Sequence, residues 1–228
     1  MIRLFRKSHT RLASNANQFR KIAILAFTSI AGIIYFFVVV AILHILRADY
    51  NPIRQAVSNY AVGPYSFLMI SGFFALALTM FTLALGLTED LMLTHRAIIA
   101  VRLFYIASVG LVVVGIFPGD VNVPHPPATI TGYIHWIAAG TSFLSTVIAA
   151  FLLSYCFKED ERWQSFHRSA LTLAFTTMAA LAIFGMLALI GWIGIGERIY
   201  IAASLLWPLL AAIRLWMHAI KKRQPLAT

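Results

Sequence analysis

Cysteine occurs once in the 228 residues, at Cys156. That excludes an intramolecular disulfide framework and any Cys-rich zinc module. Charge is scarce as well: Asp, Glu, Lys and Arg make up 11% of the chain, against about a quarter in an ordinary soluble domain. Hydrophobic residues make up 61%, so a water-soluble globule and a disordered chain are both excluded. Acidic residues number eight, and none sits at the middle of an apolar run. With no midplane acid, no matched broken helices and no sequence echo between the halves, the chain does not read as an ion-coupled transporter.

What fills the chain instead is six apolar runs: Ile22–Leu46, Tyr65–Leu87, Ala97–Phe117, Ile130–Phe157, Ala170–Ile195 and Ile199–Ile220. Each reaches the roughly 20 residues that a helix needs to cross a bilayer core. They are continuous, which does not suit the alternating segments of about 10 residues in a membrane barrel. Backbone in hydrocarbon must satisfy its own hydrogen bonds, so every run is predicted to be helical. The expected fold is all-α: a polytopic membrane protein with a six-transmembrane-helix bundle over residues 22–220. A basic segment, residues 1–21, precedes it, and a basic tail, residues 221–228, follows. The last two runs are expected to form a hairpin linked at Gly196, Glu197 and Arg198. The first run is longer than the apolar core of a cleavable signal, about 7–15 residues, and is read as an anchor. The residues before it read either as a surface helix dipping Ile2, Leu4 and Phe5 into lipid or as a solvated tail.

Orientation follows from Lys and Arg. Thirteen of the 18 fall in the two tails and the second and fourth loops, and only Arg47, Arg54 and Arg198 fall in the opposite connections. Both termini are therefore expected in the cytoplasm, with the chain in a prokaryotic inner or plasma membrane. The net charge of +10 is then a topology signal and a match to anionic membrane lipids, not a nucleic-acid footprint. Arg102 and Arg214 lie inside runs near the inner boundary. Snorkelling explains both, with Glu89 and Asp90 available to pair with them.

Six of the eight prolines, Pro52, Pro64, Pro118, Pro124, Pro126 and Pro127, fall in the two longer outer loops. Proline fixes φ and removes a donor, so these loops are expected to be stiff. In the first, Asn51 and Pro52 have the chemistry of a helix start. The spacing of Ile53, Val57 and Tyr60 predicts a short interfacial helix with Arg54, Gln55, Ser58 and Asn59 on its polar face. In the second, Thr129 or Thr131 is expected to cap the fourth helix, placing His135 one to two turns inside it beside Gly132.

Two patterns in these loops carry a resemblance. The first is Asp49, Pro52, Ser58, Tyr60, Ala61, Gly63, Pro64 and Tyr65; the second is Gly115, Phe117, Pro118, Asp120, Pro127, Thr129, Gly132 and His135. Together they resemble an uncharacterised prokaryotic membrane family catalogued as domain of unknown function 998. The resemblance spans nearly the whole chain and implies a six-helix membrane fold, with no established activity.

The polar residues expected at the outer face are Asp49, Arg54, Ser58, Tyr60, Asp120, His125, His135, Glu197 and Arg198. One reading is a structural network in which Asp49 or Asp120 pairs with Arg54 or Arg198 and pins the loops. The other is an outward-facing pocket binding, or acting on, a lipid or small amphiphile, lined by Asp49, Arg54, Ser58, Tyr60, Asp120, His135 and Arg198. Asp120 and His135 have the right chemistry for zinc, joined by His125 or Asp49. No tight His-x3-His spacing supports it. Haem held by His44 and His135 is a further alternative, and His95, His167 and His218 are expected to gather on the inner side. A non-enzymatic accessory subunit bound to other membrane subunits is the competing function. Ser71, Ala75 and Thr79, then Ala138, Ser142, Thr146 and Ala150, read as packing seams. Pro208 is expected to kink the last helix. Cys156 reads as either buried or lipidated.

Overall fold

The structure, a computed structural model, describes the backbone of residues 2–121 and 127–223 and the side chains of residues 17–121 and 127–221. The side chains of Ile2, Leu4 and Phe5, most of the tail after residue 221, and His125 lie outside the described residues. Six helices follow in order: α1 (Ile2–Leu46), α2 (Ser66–Asp90), α3 (His95–Ile116), α4 (Ile130–Glu159), α5 (His167–Leu189) and α6 (Ile193–Arg223). There is no strand among the described residues. All six helices are long and apolar enough to cross a membrane, the most apolar being the stretch Asn17–Leu46 of α1. Each helix packs on its neighbours in sequence, α1 closes the ring against α6, and α2 also touches α6 across it. Six alternating spans return both termini to one end, the proximal end. The α1–α2, α3–α4 and α5–α6 connections form the distal end.

Lipid tails are as apolar as leucine, so burying apolar surface does not hold such a ring together. Close backbone approach and interhelical hydrogen bonds must, and the small-residue seams supply both. In α2, Thr79 Oγ1 donates to its own helix at Ala75 O (3.0 Å) and across to Ser29 O of α1 (3.3 Å). In α4, Ser142 Oγ donates to Ala138 O (2.8 Å) and across to Ala107 O of α3 (3.2 Å). In α5, Thr177 Oγ1 donates to Leu173 O (2.9 Å) and across to Ala203 O of α6 (3.3 Å). One hydroxyl thus bridges each of the three hairpins. Two glycines make the first two approaches possible. A Cβ on Gly32 would collide with Thr79 Oγ1 and lie 2.8 Å from Ala75 O; one on Gly110 would collide with Ser142 Oγ and lie 2.9 Å from Ala138 O.

Two boundaries differ from the sequence expectation. The α5–α6 turn lies at Ile190–Trp192, not at Gly196–Arg198. Gly191, at φ +79°, closes it. Its N–H donates to Ala188 O (3.1 Å) and that of Trp192 to Leu187 O (2.8 Å), the paired bonds of a helix ended by a left-handed glycine. Glu197 and Arg198 are therefore inside α6, which also continues unbroken through Pro208. The first outer loop is not one helix either. Asn51 does start a turn, its Oδ1 accepting from Ile53 N at 2.9 Å. The chain then extends at Ala56 and re-forms as a separate 3-10 turn, Val57–Ala61. Val57 and Tyr60 are buried there while Ile53 is exposed, so the three do not share a face.

Candidate functional site

The distal end is organised by two arginines and a glutamate. Arg47, the first residue past α1, is buried although its partner Asp49 is exposed. Its Nε and Nη2 donate to the two Asp49 oxygens, both at 2.9 Å. Nη1 donates to Val62 O (2.9 Å) and Pro64 O (3.0 Å), and the guanidinium lies 4.2 Å from the Tyr50 ring centroid. One side chain thus ties both ends of the loop together. Gly63, at φ +82°, and Tyr65, at φ 61°, bend the backbone into the left-handed region where this happens.

The same loop and α6 cap each other. The first N–H groups of a helix have no partner within it. Here Gly194 N and Ile195 N donate to Ile53 O, at 3.0 and 3.2 Å. In return the buried Glu197 carboxylate accepts the N–H of Val57 and of Ser58, the opening donors of the 3-10 turn. Arg198 serves the carbonyls: Nη1 donates to Pro52 O, Gln55 O and Gly194 O, each at 2.9 Å, and Nε to His44 Nε2 at 3.0 Å. Adjacent opposite charges on α6 therefore satisfy opposite backbone groups of a loop far away in sequence. Gly194 is the point of contact, since a Cβ there would collide with Gln55 O and lie 2.6 Å from Pro52 O.

The second outer loop is held separately. Asp120 Oδ2 accepts from Ala128 N (2.7 Å) and Thr129 N (3.0 Å), and Oδ1 from Thr129 Oγ1 (2.6 Å). Thr129 also caps α4, as expected, by accepting from Gly132 N at 3.0 Å. A Cβ on Gly132 would collide with the Asp120 carboxylate. His135 is buried and donates from Nδ1 to Phe117 O at 2.8 Å. Its Nε2 is left as an acceptor beside Gly119, whose Cβ would lie 3.4 Å from it.

The residues proposed to line one pocket therefore fall into two networks. Asp49, Tyr60 and Arg198, with the Ser58 amide, belong to the first; Asp120 and His135 belong to the second. The Arg54 side chain is exposed and makes no hydrogen bond or ion pair with a described residue, its backbone N–H alone donating to Asn51. The expected pairing of Asp49 or Asp120 with Arg54 or Arg198 is replaced by Arg47–Asp49 and by carboxylate-to-backbone bonds. No group of three or more His, Cys, Asp or Glu suited to a metal occurs among the described residues, so among them the donor set for zinc stops at Asp120 and His135, His125 lying outside them. Haem fits no better. His44 donates from Nδ1 to Val40 O (2.7 Å) and accepts Arg198 at Nε2, which occupies both nitrogens.

The hydrogen bonds from Arg47 hold the Asp49 carboxyl below the usual carboxylate range, and those from Thr129 do the same for Asp120. A depressed carboxyl contributes stability above its unfolded value, about 3.9, and loses it as pH falls through the lower folded value. We therefore expect both outer loops to hold their amides against hydrogen exchange at pH 5. Protection at Ala128 and Thr129 should fall only in stronger acid, below about pH 4.

A third network, at the proximal end, was not read from the sequence. The Asp90 carboxylate accepts from Arg162 Nη1 (3.2 Å), Trp163 Nε1 (3.0 Å) and His218 Nδ1 (3.1 Å), tying α2, the α4–α5 loop and α6 together. Asp160 adds bonds from Arg162 Nε (3.1 Å) and Nη2 (2.9 Å). Trp163 is fully buried and stacks on Phe157 at 4.4 Å. The expected partners differ: Glu89 pairs with Lys21 at 2.6 Å, and Arg214 Nη2 donates to Arg162 O (2.8 Å) and Ser165 Oγ (2.6 Å). His167, at the start of α5, donates from Nδ1 to Ser154 O of α4 at 2.6 Å. Cys156 is a buried free thiol. Asp90 next to a helix end, with Arg and Trp adjacent at 162 and 163, was the available signal.

Comparison with known proteins adds one finding. The family described as proteins of unknown function, DUF998, matches residues 30–214, which include both outer-loop patterns. No curated protein and no solved structure matches the chain.

Proposed function

The chain belongs to the DUF998 family, and from that premise we propose that it is a non-enzymatic accessory or assembly subunit of a larger membrane complex. One observation carries this reading: among the described residues, the charged groups at the distal end other than Arg54 are occupied by the protein's own loops, above all in the reciprocal capping of α6 and residues 51–58. A surface whose polar groups are fixed in this way suits recognition of a neighbour better than chemistry on a substrate. The Lys and Arg balance supports a proximal end in the cytoplasm and a distal cap outside, in the cell membrane.

Two groups favour a second reading, an outward-facing site for a lipid or small amphiphile. The Arg54 side chain is exposed and without a partner among the described residues, and His135 keeps Nε2 as an acceptor. His135→Ala separates the two. Purified in mild detergent, the variant is expected to lose thermal stability or assembly, with zinc, haem absorbance and retained amphiphile unchanged from the unmodified protein. A folded His135→Ala protein that has lost stoichiometric zinc, or a co-purifying amphiphile, would overturn the accessory role in favour of the second reading.

A further inference from the structure

At the proximal end, α1 and α6 do not close fully on each other. A groove of about 350 Å³ lies between them, lined by Phe19, Arg20, Ala23, Ile24, Phe27, Trp216, Ala219 and Ile220. Its floor is made by the small side chains of Ala23 and Ala219, one from each helix, and its walls by aromatic and aliphatic ones. The one charged residue in its lining is a cation, Arg20. Arg20 borders the groove and Lys221 follows its last lining residue; both are exposed, and neither is in an ion pair with a described residue. Of the two acids that end the neighbouring helix, Glu89 is neutralised by Lys21 at 2.6 Å and Asp90 is taken up by Arg162, Trp163 and His218. An apolar slot that runs along two spans and opens under unpaired cations has the polarity of an anionic phospholipid: acyl chain below, phosphodiester above. Basic pockets between spanning helices are known to hold such headgroups.

We propose that this groove is a binding site for an anionic phospholipid of the leaflet at the proximal end, with its phosphate on Arg20 and Lys221 and one acyl chain between Ala23 and Ala219. Position in the fold adds weight. The groove lies at the junction that closes the ring, and the α1 span, Asn17–Leu46, is among the least buried of the six. A chain seated there would complete the α1–α6 contact at the end where the helices leave it open.

Trp216, in the wall, gives the readout. The protein is reconstituted in nanodiscs of equal phosphatidylglycerol and phosphatidylcholine, with the bromine label on the acyl chains of one lipid only. The quenching lost on Trp216→Phe isolates this indole. The expected result is stronger quenching by brominated phosphatidylglycerol than by brominated phosphatidylcholine. Each cation near a membrane surface is worth about fivefold in affinity. The preference should therefore fall about fivefold in Arg20→Gln and again in Arg20→Gln/Lys221→Gln; both residues are exposed, so the fold is retained. Ala219→Leu fills the floor and should remove the preference with the cations intact. Equal quenching by the two lipids in the unmodified protein, or an unchanged preference in the double glutamine variant, would overturn the site.

Discussion

Asp90→Ala is expected to lower stability by about 3 kcal/mol, from losing buried hydrogen bonds and the charge together. The substitution leaves the fully buried Trp163 N–H and the largely buried His218 N–H without their acceptor. Each such loss costs on the order of 1–3 kcal/mol. The ion pair with Arg162 adds less, because that side chain is 39% exposed and keeps Asp160, and solvent screens it. Asp90→Asn keeps an acceptor for Trp163 and should cost about half as much. Unfolding by denaturing detergent, followed by Trp fluorescence, measures both. An Asp90→Ala protein as stable as the parent would show that the proximal network is not what joins α2 to the α4–α5 loop and α6.

Gly110→Ala is the second large effect, about 2 kcal/mol of overpacking, because the new methyl collides with Ser142 Oγ and lies 2.9 Å from the backbone oxygen of Ala138. Adding Ser142→Ala should recover only part of this, since the carbonyl remains. Gly140→Ala and Gly185→Ala are the controls. No heavy atom comes within 4 Å of a Cβ at either position, so both should stay within about 0.5 kcal/mol of the parent. The same unfolding assay ranks the four. A Gly110→Ala protein no worse than Gly140→Ala would mean that α3 and α4 do not approach as closely as described.

The six spans were legible because hydrocarbon imposes composition and length on every residue of a span. The seams were legible because small residues recur every fourth position and must face one another. The Thr129 cap and the Asn51 turn were legible because their partners lie two or three residues away. What was missed depends on distant partners. Counting apolar residues reads straight through Ile190, Gly191 and Trp192, whereas a charged pair such as Glu197 and Arg198 looks like a loop. Those charges are tolerated inside α6 because residues 52–58 fold over them with free N–H and C=O groups, a contact spanning 140 positions. Arg47 counted only as an outer charge. Its role depends on Gly63 and Tyr65 turning the Val62 and Pro64 carbonyls toward it. The spacing of Ile53, Val57 and Tyr60 gave a helix because the extended break at Ala56 is imposed by α6, not by local sequence.

The distal charges hold the protein's own loops in place. Amide hydrogen exchange across residues 47–64, compared between the unmodified protein and Arg198→Gln in the same mild detergent, tests that most directly. The prediction is slow exchange at Gln55, Val57 and Ser58 in the parent and loss of that protection in the variant, with the amides of α3 and α4 unchanged. Fast exchange through the loop in both proteins, or full protection retained without the Arg198 guanidinium, would contradict it.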